Sequence, residues 1–214
     1  MDFIPTPISE YAEKFTSEET QFLNNLNRAT WTDVLQPRML SGHLQGRFLS
    51  MISYLIKPKR ILEIGTYTGY SALCLAEGLS EDGILHTIEI DEEIVAFASL
   101  HFEKSPMRTK IVQHKGHGLE IIPTLTEDWD LVFIDADKEN YCKYYGMLID
   151  GLKPGALILA DNVLWSGKVL DEIERHKDLE TAAIHAFNQM VMQDERVENL
   201  LLPLRDGLMM ARKR

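Results

Sequence analysis

The sequence has few cysteines, no long apolar run and no leader-like start. Its 214 residues include two cysteines, Cys74 and Cys142, too few for the disulfide framework of a small secreted domain. No apolar run approaches the roughly 20 residues that cross a bilayer, and residues 1–5 (MDFIP) show neither the basic nor the apolar segment of a signal peptide. We therefore expect a cytoplasmic protein that does not bind membranes, with both thiols buried and reduced.

Positive charge is also in short supply. The chain has 22 Lys and Arg against 33 Asp and Glu, which gives a net charge of −11. Non-specific binding to nucleic acids or anionic membranes depends on cations that neutralise phosphates, so this balance counts against both partners. Two short basic clusters, residues 57–60 and 212–214, are expected to be solvated surface.

What remains is the composition of an ordinary globular protein, with 45% hydrophobic and 26% charged residues. The length predicts one or two domains. Because no internal repeat and no linker rich in Gly, Ser or Pro divides the chain, we expect one domain over residues 1–214. Its parts are a helical cap at 1–58 and an α/β core at 59–214.

The first 58 residues have helical patterns. Thr16 followed by Glu19 fits a capping box, which predicts a helix that begins after Thr16 and buries apolar residues from Phe22 onward. A longer helix from about Gly42 should end before Pro58. Its apolar residues form one stripe that we expect to be buried: Leu44, Phe48, Leu49, Ile52, Leu55 and Ile56.

From residue 60 onward, short apolar runs alternate with amphipathic segments. The runs predict strands at residues 61–64, 84–90, 110–113, 131–134 and 156–160, with a polar helix later at 171–193. This alternation predicts a parallel sheet covered by helices on both faces. Two further strand-like runs flank Asp206-Gly207, a hairpin signal, so the last strand should be antiparallel.

A glycine-containing turn follows the first predicted strand. Gly65 and Gly69 allow the backbone to approach a ligand closely, and Glu89 ends the next strand 24 residues after Gly65. An acid at about this distance can reach the two hydroxyls of a cofactor ribose. A dinucleotide site has the pattern G-x-G-x-x-G, whereas this turn is G-x-x-x-G. The turn therefore favours S-adenosylmethionine over NAD, with a tight turn that binds nothing as the alternative.

Polar side chains follow the fourth and fifth predicted strands. Asp135 follows one strand, and Asp161 and Asn162 follow the other. A single Asp in such a place is usually a helix N-cap, but three oxygen ligands at one sheet edge suit Mg²⁺, or else Ca²⁺ or Mn²⁺, rather than zinc. Lys138 should point into the same cleft, where a divalent cation would favour its action as a base. An exposed, ion-paired lysine is the alternative.

Several aromatic and histidine side chains lie near these strand ends. Trp165 is well placed to form a wall of an acceptor site, which Tyr141 and Tyr144 can join unless they serve only in helix packing. His117 follows the third strand and should border an adenine, whereas His114 is expected at the surface or at a strand end.

Three segments resemble the metal-dependent O-methyltransferases. This family includes catechol O-methyltransferase, the plant caffeoyl-CoA O-methyltransferases and many bacterial enzymes that act on small phenols. The segments are LEIGTYTGYSAL at 62–73, FIDADK at 133–138 with Asn140-Tyr141, and ADNVL at 160–164. The closing LPLRDG at 202–207 is similar to the bacterial and plant branch, and the likeness extends from about Met39 to the C-terminus.

The resemblance implies a Rossmann-like S-adenosylmethionine methyltransferase fold, with seven strands of which the last is reversed. It assigns Asp135, Asp161 and Asn162 to the metal, Lys138 to the general base and Glu89 to the ribose. Residues that match the remaining cofactor contacts are Met39, Ser41, Glu63, Gly65, Tyr67, Ser71, His117, Asp135 and Ala136. The implied acceptor is a small phenolic vicinal diol beside Lys138 and Trp165, and the implied assembly is a homodimer.

Two departures from the family pattern put catecholamine specificity in doubt. The position near Leu200 lacks the glutamate of catechol O-methyltransferase, and the segment before Lys138 lacks a bulky aromatic residue.

Two functions other than methylation of a small phenol stay open. One is methylation of a hydroxylated tRNA base, against which the charge of −11 counts. The other is a non-catalytic S-adenosylmethionine-binding protein, which would need neither the metal ligands nor Lys138.

Overall fold

The computed structural model describes residues 4–214. Residues 1–3, which belong to the predicted helical cap and to the N-terminal segment compared with a signal peptide, lie outside the described residues. Seven strands form one sheet: β1 Arg60–Ile64, β2 Ile84–Glu89, β3 Ile111–Lys115, β4 Leu131–Ile134, β5 Leu157–Asp161, β6 Val197–Leu202 and β7 Leu208–Lys213. Their spatial order is β3-β2-β1-β4-β5-β7-β6. All neighbours are parallel except β7, which runs antiparallel to β5 and β6. The predicted mostly parallel sheet with a reversed last strand is confirmed.

Nine α-helices accompany the sheet within residues 4–214: α1 Thr6–Lys14, α2 Gln21–Asp33, α3 Gly42–Ile56, α4 Tyr70–Ala76, α5 Glu92–Lys104, α6 Gly118–Ile121, α7 Tyr141–Ile149, α8 Glu172–Lys177 and α9 Leu179–Gln193. The side chains of alternate residues in the central strands pack into two separate apolar cores, one on each face of the sheet. The predicted coverage of both faces by helices is therefore confirmed. None of the helices in residues 4–214 combines the length with the apolar character that a bilayer crossing requires.

The predicted start of the second helix is wrong. The Thr16 hydroxyl donates back to the carbonyl of Ala12 at the end of α1, and α2 begins only after Thr20, whose side chain accepts from the amide of Leu23. The Glu19 carboxylate, which the capping box would have used, instead accepts a 2.5 Å hydrogen bond from the Tyr70 hydroxyl. Tertiary contacts therefore decided between two threonines that are both suitable caps.

The buried face of α3 agrees with the prediction only in part. Leu49 of the predicted stripe is fully buried, and Phe48, Ile52 and Ile56 pack against the core, whereas Leu55 is 75% exposed. The other fully buried residues of the helix are small or polar, namely Gln45, Gly46, Ser50 and Ser53. The reason is close packing against α4. A Cβ atom on Gly46 would lie 2.6 Å from the Tyr70 ring, and one on Gly78 would lie 2.2 Å from the Ser53 backbone.

Two further predictions need correction, and one about a histidine holds. The polar segment at 171–193 is two helices rather than one, because Asp178 leaves the helical conformation and caps α9 through the amide of Glu180. Cys74 is fully buried as expected, but Cys142 is only partly buried. His114 lies near the end of β3, which agrees with the strand-end position predicted as one of its two placements. It lies half-buried in β3, stacked on His86 with 3.0 Å between ring nitrogens.

Candidate functional site

The predicted polar residues meet at the sheet edge where the parallel strands end. A cavity of about 1200 Å³ opens there, and residues 33–39, which follow α2, form part of its wall. The predicted site residues on the wall are Met39, Gly65, Tyr67, Glu89, His117, Asp135, Ala136, Lys138, Asp161, Asn162 and Trp165. Within the described chain, the other three, Ser41, Glu63 and Ser71, are buried behind this wall rather than part of it.

Gly65 allows the turn after β1 to lie against the strand end of β4. Its φ is +99°, and a Cβ atom at this position would lie 2.1 Å from the carbonyl oxygen of Asp135. No side chain fits in that space, and only glycine adopts such a backbone conformation readily. The glycine therefore brings the turn and the first acidic strand end into direct contact.

Glu89 is held in place by backbone amides. One carboxylate oxygen accepts from the amide of Tyr67 at 2.9 Å, and the other accepts from the amides of Ile90 and Asp91. The Tyr67 hydroxyl donates to the carbonyl of Gln36 and so joins this turn to the segment at 33–39. A carboxylate oxygen has two acceptor sites, so the fixed Glu89 side chain can still receive hydroxyl donors from the cavity.

Glu63 lies beneath the same turn and is fully buried. The Thr87 hydroxyl donates to its Oε2 at 2.5 Å, and the Thr66 hydroxyl lies 2.5 Å from that of Thr87. Burial raises the pKa of Glu63 to about 8. The carboxyl group therefore keeps its proton at neutral pH in the protein without ligands.

This shift predicts a pH-dependent stability. Because the pKa of Glu63 is higher in the folded state, its contribution is complete below about pH 4.5 and is lost as the pH rises through about 8. Glu63→Gln should remove this dependence. The free energy of unfolding of the variant, relative to wild type, should grow by about 4 kcal/mol between pH 5 and pH 9. Urea unfolding of both proteins across that range measures it, and parallel pH profiles would contradict it.

The three candidate metal ligands lie together at the ends of β4 and β5. Asp161 is buried, and its Oδ1 accepts from the amide of Asn162 at 2.8 Å. Burial and the nearby Asp135 carboxylate raise the pKa of Asp161. The two carboxylates repel each other when both are charged, and an amide oxygen lies beside them. A hard divalent cation would stabilise such a set of ligands. Within residues 4–214, no group of three or more His, Cys, Asp or Glu side chains could hold a metal ion, so a cation at this place would need the Asn162 amide as a ligand.

Lys138 is buried in the cavity wall and is not an exposed surface lysine. Its Nζ lies 3.0 Å from Asp135 Oδ1, 2.7 Å from the Tyr141 hydroxyl and 5.8 Å from the centre of the Trp165 ring. Burial raises the pKa of Tyr141, so its hydroxyl keeps its proton, which it donates to the carbonyl of Asp161 at 3.1 Å. Tyr141 therefore does more than pack a helix: it holds the lysine beside both carboxylates.

Sequence reasoning missed two side chains of this site, Gln45 and Arg205. Gln45 Nε2 donates to Asp161 Oδ2 at 2.8 Å, and Arg205 is part of the cavity wall and donates to Gln45 Oε1 at 3.0 Å. No local signal marks Gln45, because α3 also contains His43, Arg47 and two serines. Arg205 lies within the LPLRDG segment, but no local pattern reveals a partner 160 residues away.

Comparisons with known proteins show which family and which fold the chain shares. A sequence model of a family described as O-methyltransferase matches residues 13–214. A caffeoyl-CoA O-methyltransferase of Eucalyptus globulus is 35% identical over 179 residues, 79% of this chain and 72% of the relative. A catechol O-methyltransferase of Niastella koreensis is 35% identical over 164 residues, 75% and 73% of the two chains. An SAH-bound methyltransferase from Podospora anserina has a TM-score of 0.90 at 28% identity, covering 100% of this chain and 99% of that one.

Proposed function

This chain belongs to the O-methyltransferase family, as the three sequence segments predicted, and we propose that it methylates one hydroxyl of a small phenolic vicinal diol. The methyl donor in this proposal is S-adenosylmethionine, supported by the SAH-bound structural neighbour. The observation that carries the proposal is one cavity that holds both Glu89 and the Asp135–Lys138 pair beside Asp161. The proposed site for the methyl donor and the proposed site where the acceptor hydroxyl loses its proton therefore lie in the same cavity.

The chemistry follows from the side chains around Lys138. A divalent cation held by Asp135, Asp161 and Asn162 would draw two neighbouring hydroxyls together and favour loss of a proton from one. Lys138 Nζ, in its neutral form, accepts that proton, and Asp135 then stabilises the resulting ammonium at 3.0 Å. The acceptor oxygen forms its bond to the methyl carbon while the carbon–sulfur bond of the donor breaks and sulfur keeps the electron pair. Trp165 encloses the reacting groups.

Metal removal is the direct test of this function. We expect EDTA to lower methylation of a model catechol by more than about 100-fold, because proton loss and positioning of the diol both depend on the cation. Mg²⁺ added in excess should restore the rate. Transfer of labelled methyl from S-adenosylmethionine measures both. Full activity in metal-free buffer would contradict the metal role while leaving the methyltransferase assignment intact.

The charge of the cavity wall supports a free phenol rather than a CoA thioester as the acceptor. The wall carries eight carboxylates, Asp33, Glu89, Asp91, Glu93, Asp135, Asp137, Asp161 and Glu180. Its three cations are Arg38, Lys138 and Arg205, of which Lys138 is paired with Asp135 and Arg205 is bound to backbone carbonyls. A bound divalent cation and the sulfonium of the donor would offset part of this excess of negative charge, and the remainder would still repel the phosphates of a CoA thioester.

A pair of acceptors with the same reacting diol tests this preference. We expect free caffeate to be methylated with a kcat/KM at least about tenfold higher than that of caffeoyl-CoA, because like charges slow association and weaken binding. Raising the ionic strength should narrow the difference, since salt screens the repulsion. Faster turnover of the thioester at low salt would overturn the preference.

The basic clusters that a tRNA substrate would use are partly neutralised, because an arginine of each forms an ion pair with a neighbouring acid. Arg60 pairs with Glu127 at 2.8 Å and Arg212 pairs with Glu198 at 2.8 Å. Such pairs leave little positive field for phosphates. This observation supports a small-molecule acceptor, and methylation of a hydroxylated tRNA transcript would contradict it.

We also propose that residues 1–58 cap the cavity and contribute to a homodimer in the cytoplasm. The wall segment at 33–39 supports the capping role, and the free thiols suit a reducing compartment. Exposed apolar side chains on α1 and α3, which pack together, support a contact between two copies: Tyr11, Phe15, Met51, Tyr54 and Leu55. Light scattering should give about twice 24.5 kDa, and a monomer mass would refute the dimer.

A further inference from the structure

Gln45 is a buried polar side chain whose two hydrogen bonds both lead to the candidate site. It is 1% exposed in the middle of α3. Its Nε2 donates to Asp161 Oδ2 at 2.8 Å, and its Oε1 accepts from Arg205 Nη1 at 3.0 Å. Since a guanidinium can only donate and a carboxylate can only accept, these two partners fix the orientation of the amide.

Arg205 is itself held firmly. It lies between β6 and β7 with a φ of +50°, a conformation that few non-glycine residues adopt. The two hydrogens of this Nη1 are shared among Gln45 Oε1 and the backbone carbonyls of Leu40 and Ser41. These residues directly follow the cavity-wall segment at 33–39. One guanidinium group thus joins that segment, α3 and the last hairpin of the sheet.

From this chain of contacts we infer that Gln45, fixed by Arg205, is a positioning residue for Asp161. Asp161 Oδ1 is held by the amide of Asn162 and Oδ2 by Gln45, so the carboxylate cannot rotate. Each oxygen keeps a second acceptor site for a cation. The inference rests on the proposed function, because it assigns Gln45 to the metal half of that site.

Binding of Mn²⁺ to the cofactor-free protein, followed by the EPR signal of free Mn²⁺, tests the inference without measuring turnover. Gln45→Met keeps the length of the side chain and removes both hydrogen bonds. We expect its dissociation constant for Mn²⁺ to rise by about 10- to 100-fold, the usual effect of losing a group that orients a metal ligand. The matched control is Gln113→Met in β3, which lies outside the cavity wall and should bind Mn²⁺ like wild type.

Gln45→Glu separates positioning from charge. It keeps the acceptor for Arg205 but cannot donate to the Asp161 carboxylate, and it adds a negative charge beside the site. Positioning predicts weaker Mn²⁺ binding, whereas charge alone predicts tighter binding. Tighter binding by this variant, or unchanged binding by a folded Gln45→Met protein, overturns the inference. A wild-type protein that binds no Mn²⁺ would instead refute the proposed metal site itself.

Discussion

Lys138→Met is expected to lower kcat for methyl transfer by about 10²- to 10⁴-fold, the range that a positioned general base contributes. Methionine fills the space of the lysine stem in this buried position but cannot accept a proton. The deficit should shrink as the pH rises, because the acceptor then loses its proton to solvent. Initial rates with a catechol at saturating donor and Mg²⁺, measured from pH 7 to pH 10, test both statements.

The same variant separates the base from the metal ligands. Lys138 lies 3.0 Å from Asp135, so its removal takes away a positive charge next to the candidate ligands. Mn²⁺ should therefore bind as tightly as in wild type or more tightly, even though turnover is lost. Lys143→Met is the matched control, because Lys143 is an exposed lysine of α7 that contacts only the Asn140 side chain within residues 4–214. A kcat within fivefold of wild type for Lys138→Met would exclude the base role.

Gly65→Ala is expected to cost more than about 3 kcal/mol of unfolding free energy and to abolish binding of S-adenosylmethionine. The added methyl group would lie 2.1 Å from the carbonyl oxygen of Asp135, so the turn and the end of β4 would have to separate. Backbone contacts relax far less easily than the tip of a side chain, which is why the cost exceeds that of an ordinary overpacked position. Urea unfolding and calorimetric titration with the donor measure the two effects.

Gly155→Ala provides the control for backbone conformation. Gly155 has a φ of +92°, close to the +99° of Gly65, but a Cβ atom there has no neighbour within 4 Å. It should lose only the roughly 1–2 kcal/mol that a left-handed conformation costs an alanine, with donor binding unchanged. Equal losses in the two variants would show that the contact with Asp135 has no special role.

Most of the sheet was predictable because its signals are local. Apolar runs of four to six residues mark buried parallel strands, and Gly65, Asp135 and Asp161 stand directly after three of them. The carboxyl ends of parallel strands share one edge, so the chain order alone brings these residues together. Their side-chain contacts, such as that between Lys138 and Tyr141, depend on rotamers that no pattern specifies.

The errors occurred where packing between distant segments overrides local preference. Thr16 and Thr20 are equally good caps in sequence, and the choice depends on Glu19, which bonds to Tyr70 about fifty residues away. In α3 the hydrophobic pattern predicted the burial of Leu49 correctly, but close contact with α4 also buried small and polar residues beside it and left Leu55 exposed. Gln45 and Arg205 were missed for the same reason, since each gains its role from a partner more than a hundred residues away.

The antiparallel strand β7 has a consequence for the order of events during synthesis. It lies between β5 and β6, and within residues 4–214 β6 pairs with no other strand. The turn before β7 carries Arg205 and Asp206, and Asp206 accepts from the amides of Leu164 and Ser166 on either side of Trp165. A nascent chain that has emerged from the ribosome only as far as β6 already contains Asp135, Asp161 and Lys138. It then still lacks β7, the strand that joins β6 to the rest of the sheet. Completion of the site therefore requires that β7 has been translated and has paired with β5 and β6.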